Sequence, residues 1–167
     1  MKSTGAWPQG RSLWRNIRNL LKKRTDHSDV SRDSQYGLHN EKYFHLLLQH
    51  EEARSARLGK VCLLMLFDIT GLEDHIIREV ASIALSVPRE VDVKGWWRSG
   101  AEIGILFTEI DASSREAFIQ TEKTIKEKIR QRLSRELGSM TAERVAISSR
   151  MFGGRPGTGP PLDAYTR

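Results

Sequence analysis

The sequence predicts an α+β domain: one four-stranded sheet crossed by two helices, with a further helix in front. Three observations predict it. Apolar residues recur at helical spacing in three segments of the body. Four short apolar or alternating runs have strand length. The order of these seven segments is helix, then strand–helix–strand–strand–helix–strand, the split βαβ or ferredoxin-like arrangement.

Asn40 can cap a helix running to about Arg57, with Phe44, Leu47 and Leu48 on its inner side. Lys60 to Asp68 is an apolar run, long enough for a buried strand and too short for a helix. Within it Cys62 alternates with apolar neighbours and reads as an inert core thiol. Glu73 to Val87 carries Ile76, Ile77, Val80, Ile83 and Ala84 at helical spacing, and Pro88 stops it. Asp92 to Arg98 and Glu102 to Phe107 read as two strands, and Ser99-Gly100 is a hairpin-turn signal between them. Ser113 caps a long helix to about Leu137, which Gly138 ends; Phe118, Ile125, Ile129, Leu133 and Leu137 mark its buried stripe. Arg144 to Phe152 is the last strand, with Val145, Ile147 and Met151 at period two. The strands are expected to form a mixed or antiparallel sheet with the two crossover helices on one face.

Composition bounds the function. With 167 residues there is room for one domain with tails, and 38% hydrophobic content suggests that part of the chain lies outside the core. The longest apolar run, Val61 to Phe67, is far short of the roughly 20 residues of a membrane-spanning helix. The first residues hold no apolar signal-peptide core, so a cytoplasmic protein is expected. A single cysteine excludes a disulfide framework and a cysteine-based zinc site, and the five histidines form no ligand pattern.

The net charge of +6 is unevenly placed. Residues 1 to 36 hold eight basic and three acidic residues; the other 131 hold 19 and 18. The basic excess thus belongs to an N-terminal arm, not to the body, so no nucleic-acid partner is expected. In the arm Ser12 can cap a short helix to about Arg24, with Trp14, Ile17 and Leu21 on one face and Arg15, Arg18, Lys22 and Lys23 around it. Such a helix could lie on an anionic membrane surface, which would put the protein at the inner face of the membrane; a solubilising leader is the alternative. Residues 1–35 are therefore read as arm and linker, 36–152 as the domain, and 153–167 as a flexible Gly/Pro-rich tail.

Several segments carry a family resemblance. YGLHNEKYF (Tyr36 to Phe44) resembles the opening "LTGLxNRxxF" of GGDEF domains, the diguanylate cyclases. Glu51 to Leu72 resembles their helix leading into a buried strand that ends in an aspartate. DVKGWWRSGAEIGILF (Asp92 to Phe107) resembles their signature hairpin, with Ser99, Gly100, Ala101, Glu102 and Ile103 in the place of GGDEF. Val145 to Phe152 sits where the family has its last core strand. The resemblance spans about residues 36 to 152 and implies a nucleotidyl-cyclase-like sheet.

What the resemblance implies about chemistry is mostly a loss. Active members join two GTP molecules with two divalent metals held by carboxylates, one from the first strand and one from the signature. Asp68 matches the strand carboxylate and Glu102 the fourth signature position, but the third, acidic in active members, is Ala101. The Phe-Lys and Asn-Asp that follow the strand aspartate are absent, the stretch to the hairpin is shorter, and the first signature glycine is Ser99. A degenerate, non-catalytic domain is expected, with no catalytic residue and no cofactor. Magnesium would enter only through a remnant site at Asp68, whose bland reading is a cap for the turn near Gly71.

Arg89-Glu-Val-Asp92 is an RxxD before the hairpin, which in the family can bind cyclic di-GMP; arginine can bond a phosphate in bidentate fashion and aspartate can accept from guanine. Its distance to the signature is longer by one residue than usual, and the bland reading is a loop ion pair. Trp96 and Trp97 face opposite sides of a strand, so one should be available beside Arg98 as a partner anchor, unless both are covered within the monomer. The leading reading is a regulatory or scaffolding domain that binds a protein partner or a second copy, in bacterial envelope, exopolysaccharide or cyclic di-GMP signalling. A cyclic di-GMP receptor and a cyclase with an altered metal site are the alternatives.

Overall fold

The computed structural model describes residues 31–110 and 114–153. The amphipathic stretch from Ser12 to Arg24, the capping Ser113 and the tail beyond Gly153 lie outside them. The chain divides after Ser31, and the unit that follows contains the whole sheet.

The elements, in order, are α1 (Glu41–Leu58), β1 (Val61–Asp68), α2 (Asp74–Ser86), β2 (Val93–Arg98), β3 (Glu102–Ile110), α3 (Arg115–Leu137), α4 (Ser139–Glu143) and β4 (Ala146–Gly153). The sheet runs β2-β3-β1-β4, and every neighbouring pair is antiparallel. This is the predicted α+β arrangement. Asn40 caps α1 by accepting from Tyr43 N at 2.9 Å, and Gly59 ends it in a left-handed conformation. The cap of α3 is Ser114, which accepts from Ala117 N. The short helix α4 was not predicted, because five residues hold no readable apolar period.

Alternation along β1 assigns the two faces. Leu63, Met65 and Phe67 join α2 and α3 through Ile76, Val80, Ile83, Phe118, Ile129 and Leu133. Cys62, Leu64 and Leu66 face the other way and meet Phe44 and Leu48 of α1. The two crossover helices thus share one face, as expected, and α1 covers the other. The Cys62 thiol lies 2.9 Å from the Ser55 hydroxyl in this second layer. Each fully buried side chain of this size contributes roughly 1.5–3 kcal/mol.

Phe44 reaches the sheet because two glycines leave room. Gly95 and Gly104 stand opposite each other on β2 and β3. A Cβ on Gly95 would lie 2.6 Å from Phe44 Cδ2, and one on Gly104 2.7 Å from Cε1.

The domain begins earlier than the expected residue 36. Asp33 N donates to Leu38 O at 2.7 Å and Arg32 Nη1 to Gly37 O at 2.8 Å. The strap continues along the outer edge of β2, where His39 N donates to Lys94 O and Trp96 N to His39 O. These residues are held by polar bonds to backbone and to distant side chains, which give no apolar signal, and that is why 32–35 reads as linker. Among the described residues no helix is long and apolar enough to cross a membrane.

Candidate functional site at the hairpin end

Three strand ends meet at one end of the sheet. Asp68 closes β1 and stands opposite Glu102, the first residue of β3. Arg98 closes β2 and also stands opposite Glu102. The second pairing depends on an irregularity. Regular pairing from Trp96↔Ile103 would set Trp97 against Glu102, but the register shifts by one and Arg98 takes that place. Its Nε then lies 3.3 Å from Glu102 Oε2.

Asp68 is exposed, and its Oδ1 accepts from Thr70 N at 2.9 Å ahead of Gly71, whose φ is 73°. Hydrogen bonding from Thr70 holds this carboxyl below its ordinary value of 3.8, and the Arg98 charge adds to that. Asp68 therefore caps its turn, in the bland reading of this residue. The signature turn is bonded on both sides. Ala101 N donates to Arg98 O, Ile69 N donates to Ala101 O, and Gly100 has φ 72°.

Glu41, in the first turn of α1, was missed at the sequence level. Its Oε2 accepts from Ser99 N at 2.7 Å, so α1 grips the turn directly. It stands where the "LTGLxNRxxF" pattern has arginine, and that change of sign was the available signal. The Ser99 hydrogen bond depresses the Glu41 carboxyl below its ordinary value of 4.5, with His45 and Arg98 adding to it. A depressed carboxyl contributes stability that is present above the unfolded value and lost as pH falls through the folded one. Glu41→Gln should accordingly be less stable than the native protein at pH 7, by less than about 1 kcal/mol because the carboxylate is screened by solvent. The gap should close as the pH drops below 4.5; a gap independent of pH would remove the clamp.

The two tryptophans divide between the faces as predicted, but neither is a free anchor. Trp96 is 3% exposed, edge-on to Tyr36, with Nε1 donating to Asp33 Oδ2 at 3.3 Å. It offers no area to a partner. Trp97 is half-buried because α1 covers its face: the His45 ring lies 4.5 Å away and His45 Nε2 donates to Trp97 O at 2.8 Å. Of the three expected contact residues, Arg98 alone is exposed, with 60% of its side chain facing water while its Nε pairs with Glu102.

Arg89 and Asp92 do come together, but on each other. Asp92 accepts from Arg89 N at 2.8 Å, from Arg89 Nη2 at 3.1 Å and from Thr108 N at 3.1 Å, and its side chain is 1% exposed. Arg89 Nη2 also donates to Thr108 O at 2.6 Å. The RxxD is thus a staple between the α2–β2 loop and β3, and Asp92 has no open side from which to accept a guanine edge.

This hairpin and sheet order can be set against solved structures. The GGDEF domain of DgcB from Caulobacter crescentus, in complex with c-di-GMP, superposes with TM-score 0.56 at 22% identity, covering 74% of this chain and 77% of that one. The chain has the GGDEF-domain fold. The GGDEF domain of FimX from Pseudomonas aeruginosa gives TM-score 0.56 at 14% identity, over 81% and 86% of the two chains. The diguanylate cyclase SiaD from the same organism, in complex with its activator SiaC, gives 0.54 at 22% identity, over 84% of this chain and 54% of that one. No family model matches the chain, and no curated protein does.

The resemblance to active cyclases implies a pair of divalent ions at this end of the sheet. Hard cations take several oxygen ligands. Ala101 offers no side-chain oxygen, Glu102 is paired with Arg98, and one Asp68 oxygen is held by Thr70. Among the described residues no group of three or more His, Cys, Asp or Glu converges. These residues do not fit a pair of divalent ions.

Proposed function

We infer that this is a non-catalytic domain with the GGDEF fold, acting in regulation or scaffolding by binding a protein partner, or a second copy, at its hairpin end. The observation that carries this reading is the Arg98–Glu102 ion pair. It sets a guanidinium beside the Asp68 and Glu102 carboxylates, where metal-dependent phosphoryl chemistry needs open oxygen ligands. Alanine at position 101 supports the same reading from the sequence. The exposed end that a partner would meet comprises Arg98, Ser99, Gly100 and the Asp68–Gly71 turn, and arginine is enriched at interface hot spots. A setting in bacterial envelope, exopolysaccharide or cyclic di-GMP signalling, in the cytoplasm or against the inner membrane, belongs to the same proposal.

Purified protein incubated with GTP and magnesium should yield no cyclic di-GMP. Product that disappears in Asp68→Asn would overturn the non-catalytic reading. Calorimetric titration with cyclic di-GMP addresses the receptor alternative. With Asp92 fully engaged, no heat is expected; binding that Arg89→Ala abolishes would establish that alternative instead.

A further inference from the structure

Away from the hairpin, the end of α2 and the second half of α3 enclose a cleft of about 490 Å³. Its lining is Ser86, Val87, Lys128, Gln131, Arg132 and Arg135, so three of six residues are cations and two more carry hydrogen-bond donors. Lys128, Arg132 and Arg135 are spaced by four and three, which sets them on one stripe of α3. Their charge is under-compensated. Glu136 serves both arginines, at 3.1 Å from Arg132 Nε and 3.7 Å from Arg135 Nε. Among the described residues Lys128 pairs with no acid.

A second observation points the same way. Arg132 Nε is the one buried side-chain polar atom among the described residues with no hydrogen-bond partner. Its nearest acceptor is Glu136 Oε1, 3.1 Å away but off the N–H direction, and 41% of the Arg132 side chain faces water. A donor so poorly aligned with its carboxylate has capacity for a better-placed anion.

We propose that this cleft is an anion site for a ligand with two or more linked phosphates. Guanidinium groups match phosphate oxygens in bidentate fashion, and lysine adds a point charge. From Lys128 to Arg135 the helix rises about 10 Å, more than one phosphate spans. The volume falls in the range of about 300–1,000 Å³ common for small-ligand sites. The lining holds no aromatic ring to stack on a base, so recognition falls on the phosphates. The competing role for the same cations is structural: the last turn of α2 carries no basic residue, and they stand near its negative end. The proposal is independent of the reading of the hairpin end.

The test is calorimetric titration of the full chain with inorganic pyrophosphate and orthophosphate, on the native protein and on Lys128→Gln/Arg135→Gln. Pyrophosphate should bind the native protein more tightly than orthophosphate. The double variant should lose affinity by about tenfold or more while unfolding at an unchanged temperature. Absence of binding by the native protein would overturn the proposal. So would equal affinity in the variant, which would move the binding to the basic residues before 36. A lowered unfolding temperature with unchanged affinity would assign the cations to the end of α2. GTP and ATP distinguish the source: equal affinities mean that phosphate alone is read. A preference for GTP that Asp68→Asn removes would place the nucleotide at the hairpin end and overturn the cleft.

Discussion

Replacing Phe44 by alanine should destabilise the domain by about 3–5 kcal/mol, read from urea unfolding. The ring is fully buried and is the largest side chain that α1 presses onto the sheet. Its seat is made by what β2 and β3 lack. Gly104→Ala should therefore also destabilise, by about 1–3 kcal/mol, since its new methyl would meet the ring edge in a packed layer with nowhere to move. The two effects should not add. Once Phe44 is alanine the space above Gly104 is empty, and the methyl added there should be tolerated or even fill part of the cavity. A double-mutant cycle with zero coupling would show that the ring and the glycine do not meet.

Asp92→Ala should be the next most damaging change, at about 2–4 kcal/mol. The substitution orphans the buried Thr108 amide and removes the partner of Arg89 in one step. Arg89→Ala should cost less, because 58% of that side chain faces water and the Asp92 carboxylate would keep the Thr108 and Arg89 backbone amides. The order of the two costs, measured by chemical denaturation, distinguishes a staple from a ligand site. If Asp92→Ala unfolds like the native protein, the carboxylate is not holding the loop to β3.

Much of the fold was legible because local signals agreed with one another. Asn40 before an apolar stripe, the run from Val61, Pro88 after α2 and Gly138 after α3 each mark an element that the structure has. Period-two reasoning also separated Trp96 from Trp97 correctly. It could not show that α1 lies over the second face, because packing between distant segments leaves no mark in either one alone. The same limit hid Glu41, whose partner Ser99 is 58 positions away. The strap at Arg32 and Asp33 was illegible for two reasons: most of its bonds involve backbone groups, which every sequence possesses, and its one bond to a distant side chain reaches Trp96, 63 positions away. At the hairpin end, an alanine at position 101 with no side-chain oxygen could be read directly, whereas the Arg98–Glu102 pair could not. Regular pairing would have put Trp97 there.

The register shift at Trp97 also means that residues and ladder rungs do not count alike along β2. Trp97 is the residue looped out of the pairing, so Trp96 and Arg98 oppose consecutive positions of β3. β2 therefore sets six residues, Val93 to Arg98, against five positions of β3, Leu106 to Glu102, and the length of the chain here is a poor guide to the distance between its two ends.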